Sequence, residues 1–142
     1  MTPDDLLAQA HGLLLDFDGP ITALMPPPLN ADAAATARAA LGDHPIPPEI
    51  ATITDHLTVL RYAHTHAPER LTDVEAACVA AEVAAAQTSK PSPEIEGWWG
   101  LGERRRIPVG IVSNNSEVAV RVFLDRYGWT DRVTTYACRE PG

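Results

Sequence analysis

Leu13-Leu14-Leu15-Asp16-Phe17-Asp18-Gly19 is the stretch that decides how this chain is read. Three apolar residues run directly into two carboxylates one residue apart, and a glycine follows. A short apolar run bounded by a turn signal reads as a buried strand. Strand side chains alternate between faces, so Asp16 and Asp18 point to the same side. Two carboxylates at the end of a buried strand repel each other and are costly to desolvate. The arrangement therefore calls for a cation between them or a shared proton. Gly19 frees the backbone to turn sharply away. An isolated acid pair of this kind also occurs in surface turns and calcium loops. A calcium loop needs a glycine sixth and a glutamate twelfth, and this stretch supplies neither.

A second apolar run, Ile107-Pro108-Val109-Gly110-Ile111-Val112, leads into Ser113-Asn114-Asn115. An apolar strand ending in Asp-x-Asp-Gly, followed much later by one ending in Ser or Thr, resembles the first two motifs of the haloacid dehalogenase superfamily. Most members of that superfamily are phosphohydrolases. The resemblance implies an α/β fold: a Rossmann-like parallel sheet, here incomplete at about three strands, with an inserted α-helical cap. It implies an α/β core at residues 1–25 and 89–142 and a cap at 26–88. It also implies that Asp16 is the nucleophile and Asp18 the general acid and base. Ser113, with Asn114 and Gly19, would bind substrate, the Ser113 hydroxyl and the backbone N–H at Asn114 meeting phosphoryl oxygens. Mg²⁺ would be held by Asp16, Asp18 and the carbonyl of Asp18. Dehalogenases characteristically lack the second carboxylate, so Asp18 favours hydrolysis of a small phosphorylated metabolite.

The match is partial. The superfamily's third motif is a lysine beyond the third strand and its fourth an acidic pair after the next one. The only lysine here, Lys90, lies between the two matched motifs. Pro20 stands where Thr or Val is frequent. The expectation is a truncated chain, weakly active or inactive alone, whose first strand has an unpaired edge. That edge makes self-association, or a non-catalytic binding module, the second reading. A phosphomutase using the same two aspartates is a weaker third.

Outward from these motifs, residues 3–10 suggest a short helical turn, and 11–17 and 107–112 strands. Pro20 and Pro26-Pro27-Pro28 stiffen a hinge loop. Asn30 reads as an N-cap and Gly42 as a helix stop. Ile50, Ile53, Leu57 and Leu60 form one apolar stripe, which predicts a single helix from Pro48 to about His66. Thr72-Asp73-Val74-Glu75 reads as a capping box opening a third helix, to about Gln87. Ser92-Pro93 reads as the cap and first turn of a helix to about Arg105. Another helix runs from Asn115 or Ser116 to Tyr127, stopped by Gly128, and Arg132–Cys138 is a third strand. Trp98 and Trp99 read as core and rim, and Arg104-Arg105-Arg106 as a solvated helix end.

Composition narrows the function classes. The chain has 142 residues, 45% apolar and 21% charged, enough for one domain with a real core. A net charge of −8 argues against nucleic acid or an anionic membrane surface as partner. It does not oppose a phosphorylated substrate once a metal inverts the local field. Cys78 and Cys138 are widely spaced, so neither a disulfide framework nor a zinc knuckle is indicated, and a reducing cytoplasm is the default. The N-terminus carries no signal-peptide pattern.

Overall fold

The structure, a computed structural model, describes residues 1–140. Three strands, β1 (Leu13–Asp16), β2 (Val109–Ser116) and β3 (Thr135–Arg139), form a parallel sheet in the order β1-β2-β3. Leu13 pairs with Val109 and Asp16 with Val112; Gly110 pairs with Thr135 and Val112 with Ala137. Parallel pairing requires crossovers, and helices supply them.

Helix α1 (Pro3–Gln9) is closed by a Thr2–Asp5 capping box and buries no residue. Helices α6 (Ile95–Arg105) and α7 (Glu117–Tyr127) connect the strands. Ile95 and Trp99 of α6, and Val120, Phe123 and Leu124 of α7, pack with Leu15, Phe17 and Ile111 in one core. Phe123 meets Phe17 edge-on at 5.4 Å between ring centroids. Trp99 is buried against Trp129 and Trp98 is half-buried, as core and rim. A Cβ on Gly102 would lie 2.9 Å from Val109 Cγ2, so the glycine lets α6 approach β2 closely.

The side chains of Leu14 and Val112 point away from this core and are exposed, at 72% and 42%. Among the described residues, one sheet face is packed by helices and β1 has a neighbour on one side only.

Between β1 and α6 lies a helical insert: α2 (Leu29–Ala39), α3 (Pro48–Ala51), α4 (His56–His66) and α5 (Leu71–Ala86). It has its own apolar cluster, including Ala37, Leu41, Val59, Ala63, Val74 and Cys78. The alanines let α2, α4 and α5 lie close together. Helix α5 belongs to both cores, since Val74 and Cys78 sit in the insert cluster and Ala85 and Ala86 in the main one.

Local chemistry yields to tertiary partners at several expected boundaries. The predicted single helix over 48–66 is two, because Asp55 accepts the Leu57 N–H and starts α4 afresh. The insert thus holds four α-helices where the sequence suggested three. Asn30 lies inside α2, whose cap position is Pro28. Thr72 does not cap α5, which begins at Leu71 directly after a 3₁₀ turn at Pro68–Arg70, and Glu75 turns to Arg139 instead. Ser92 does not cap α6; its hydroxyl donates to the Gly19 carbonyl. Gly42 and Gly128 take positive φ where helices end, and Ser116 caps α7, as expected.

Candidate active site

The C-terminal ends of parallel strands gather exposed backbone groups and the loops that follow them. Here β1 ends at Asp16 beside Val112, and β2 runs on through Ser113 to Ser116. Asp16 and Asp18 are both exposed, while Leu15 and Phe17 between and beside them are buried. Asp16 closes β1, and Asp18 lies in the turn that follows it. The Phe17 N–H donates to the Val112 carbonyl at 3.2 Å, carrying the β1–β2 ladder up to the acid pair.

The turn after Asp18 is held from several directions. Gly19 has φ 118° and donates its N–H to the Thr22 carbonyl at 2.8 Å. The N–H groups of Ile21 and Thr22 both reach the Phe17 carbonyl. The Leu24 N–H donates to Asp18 Oδ1 at 3.2 Å, which fixes that carboxylate's orientation. The segment entering α6 closes over the turn. The Ser92 N–H donates to the Ile21 carbonyl at 2.7 Å and the Thr22 hydroxyl to the Lys90 carbonyl at 2.6 Å. Lys90 thus lies beside the acid loop through its backbone, a placement the sequence gave no sign of.

On β2, pairing with β3 is interrupted between Val112 and Ser116. Ser113 is 7% exposed, and its oxygen accepts the Asn115 N–H at 3.0 Å and Asn115 Nδ2 at 3.2 Å. The hydroxyl's own proton is left to donate to a ligand. Register puts Ser113 one residue beyond the partner of Asp16. Asn114 is exposed and its carbonyl accepts from Arg139 Nη1 at 2.6 Å. The sequence-derived set of Asp16, Asp18, Gly19, Ser113 and Asn114 therefore lies on two adjacent strand ends and the turn after the first.

Sequence reasoning missed a buried ionic network beside this set. Glu82 of α5 is fully buried. Its Oε1 is 2.9 Å from His56 Nε2, and its Oε2 accepts the Ser116 N–H at 2.9 Å. Arg139 at the end of β3 donates to both oxygens, at 2.6 and 3.1 Å, and to Glu75 at 3.2 Å. Burial pushes the Glu82 carboxyl up, but the bonds from His56, Arg139 and the Ser116 N–H outweigh it and hold the group below the ordinary range. Burial opposes the charge on Arg139, and its bonds to Glu82 and Glu75 hold that charge in place. The one available signal was a lone acid in the alanine-rich second half of α5.

A cleft of about 210 Å³ lies between insert and sheet, lined by Leu57, Leu60, Arg61, Asn114 and Arg139. Asp16, Asp18 and Ser113 do not line it. Among the described residues no group of three His, Cys, Asp or Glu side chains could hold a metal. The two aspartates still form a donor set of the right kind for Mg²⁺. It prefers hard oxygen ligands and commonly takes one or two carboxylates, completing its shell with water and phosphate.

No protein-family model matches the sequence, and no curated protein matches it. Solved structures do match. The structure of CbbY from Rhodobacter sphaeroides in complex with phosphate superposes with a TM-score of 0.63 at 20% identity, over 90% of this chain and 63% of that one. L-2-haloacid dehalogenase from Xanthobacter autotrophicus gives a TM-score of 0.47 at 16% identity, over 92% and 57% of the two chains. A haloacid dehalogenase superfamily hydrolase of subfamily IA from Geobacter sulfurreducens gives 0.48 at 13%, over 89% and 61%. The last two scores are too low to carry an argument. The likeness to CbbY concerns the fold, and this chain spans 63% of that chain's length.

Proposed function

We propose that this chain, whose fold is that of the haloacid dehalogenase superfamily, carries the nucleophile and the general acid of a phosphate monoester hydrolase. The observation that carries this reading is that Asp16 closes β1 beside Val112, Asp18 follows in a turn where the Leu24 N–H holds its carboxylate, and Ser113 lies one residue past that register on β2. The phosphate bound to CbbY, a protein of similar fold, supports the same class of ligand.

In the first step an Asp16 oxygen attacks phosphorus and the P–O bond to the leaving group breaks. Asp18, entering as the acid, gives its proton to the departing alkoxide. In the second step Asp18, now a carboxylate, takes a proton from water as the water oxygen attacks the aspartyl-phosphate. The P–O bond to Asp16 breaks and inorganic phosphate leaves. The Leu24 N–H on Asp18 Oδ1 holds that carboxyl in one orientation through both steps. The Ser113 hydroxyl donates to a phosphoryl oxygen, and the helical insert acts as a cap that limits what enters. Mg²⁺, held by the Asp16 carboxylate and by Asp18, would supply the positive charge that lets the Asp16 carboxylate and a phosphate dianion approach each other.

The test is to trap the intermediate. Incubation with acetyl phosphate and Mg²⁺, acid quenching and peptide mass spectrometry should place a phosphoryl group on Asp16. Asp16→Asn should abolish the adduct. A folded chain that forms no adduct under these conditions defeats the proposal. The open edge of β1, with Leu14 exposed beside it, favours a second reading, a module that associates through that edge. Sedimentation decides it, since a chain monomeric at all concentrations counts against self-association.

A further inference from the structure

Where β2 leaves the ladder, the backbone groups of Ser113 to Ser116 need other partners. Three of those partners are now known. The Asn115 N–H is taken by Ser113 itself, the Asn114 carbonyl by Arg139, and the Ser116 N–H by Glu82. Arg139 and Glu82 are joined by two hydrogen bonds. Glu82 comes from the insert, not from the sheet, and its other partner, His56, opens α4. A helix of the insert thus sets the shape of the loop that carries the candidate phosphate ligands.

We infer that Glu82, acting with Arg139, is a positioning residue for the Ser113–Ser116 loop, so that the cap is a fixed wall of the site. Swinging the insert away would strand the Ser116 N–H and part the Glu82 and Glu75 carboxylates from the Arg139 guanidinium, and breaking a buried set of this kind is strongly unfavourable.

This inference rests on the phosphate-binding reading, and its test separates the two. Binding of inorganic phosphate with Mg²⁺ is measured by calorimetry, and amide exchange at Asn115 and Ser116 by NMR, on the full chain. Glu82→Ala should weaken phosphate binding roughly tenfold or more, because small misplacements of a binding group are costly. It should also speed exchange at Ser116. Glu82→Gln, which keeps an acceptor for that N–H, should restore protection and serves if Glu82→Ala does not fold. Leu41→Ala, which opens a cavity in the insert core at a residue that neither belongs to the network nor adjoins a member in sequence, controls for general loosening and should do neither. A folded Glu82→Ala with unchanged exchange at Ser116 and unchanged affinity overturns the positioning role. If the unaltered chain binds no phosphate, the functional reading fails. The exchange comparison alone then decides the inference: faster exchange at Ser116 in Glu82→Ala supports it, and unchanged exchange overturns it.

Discussion

Replacing Glu82 by alanine tests whether the insert and the sheet are held together by charge as well as by apolar packing. The substitution removes a fully buried carboxylate and leaves three groups short of a partner. Breaking a buried ion pair from one side costs about 3–5 kcal/mol. Arg139 keeps Glu75 and the Asn114 carbonyl and is 15% exposed, so it is not stranded. The Ser116 N–H is stranded, at about 1–3 kcal/mol. Together these place the loss near 3 kcal/mol. With a urea slope of about 2 kcal/mol per molar, the midpoint should fall by about 1.5 M. The same measurement on Glu82→Gln should recover part of that loss, since an amide oxygen still accepts the Ser116 N–H. The gap between unaltered chain and Glu82→Ala should also depend on pH. The Glu82 carboxyl titrates lower when folded than when unfolded, so its contribution is complete above the ordinary value of 4.5 and fades as pH falls below it. A loss under about 1 kcal/mol, or a Glu82→Gln variant no more stable than Glu82→Ala, would refute the reasoning.

Three further outcomes are expected. Asp18→Asn should leave the fold intact, because an amide oxygen can still accept the Leu24 N–H, yet slow leaving-group departure by about 10²–10⁴; single-turnover kinetics with an alkyl phosphate, whose alkoxide needs the proton, measures it. Phe123→Ala should cost about 3–5 kcal/mol in urea unfolding, since its ring is fully buried against Phe17, Tyr127 and Trp129. Of the two thiols, Cys78 should resist a thiol reagent in the folded chain and react in denaturant: burial, with Glu82 nearby, pushes it up to about 12.

Elements whose signals are local were readable in advance. The apolar run before Asp16 is a strand, Gly128 ends α7 with positive φ, and Ser116 caps that helix, because each depends on neighbours a few residues away. The Thr72–Glu75 pattern failed for the opposite reason: Glu75 gains more from Arg139, far along the chain, than from a helix start. Ser92 was likewise drawn from a cap position to the Gly19 carbonyl. The break at Asp55 lay within reach of sequence reasoning, since an aspartate two residues before Leu57 is a ready cap, but the apolar stripe across it concealed the signal.

By itself the sequence determined that an apolar strand runs up to the first of two acids one residue apart, because the run and the glycine turn after it are local signals. It determined in the same way that apolar strands alternate with helices, which commits the chain to a parallel sheet. Only the tertiary structure decided that Glu82 and His56 of the insert meet Arg139 and Ser116 of the sheet. No local pattern encodes that meeting. It arises because a carboxylate buried in an alanine-rich helix must find donors, and packing brings those donors from elements distant in sequence.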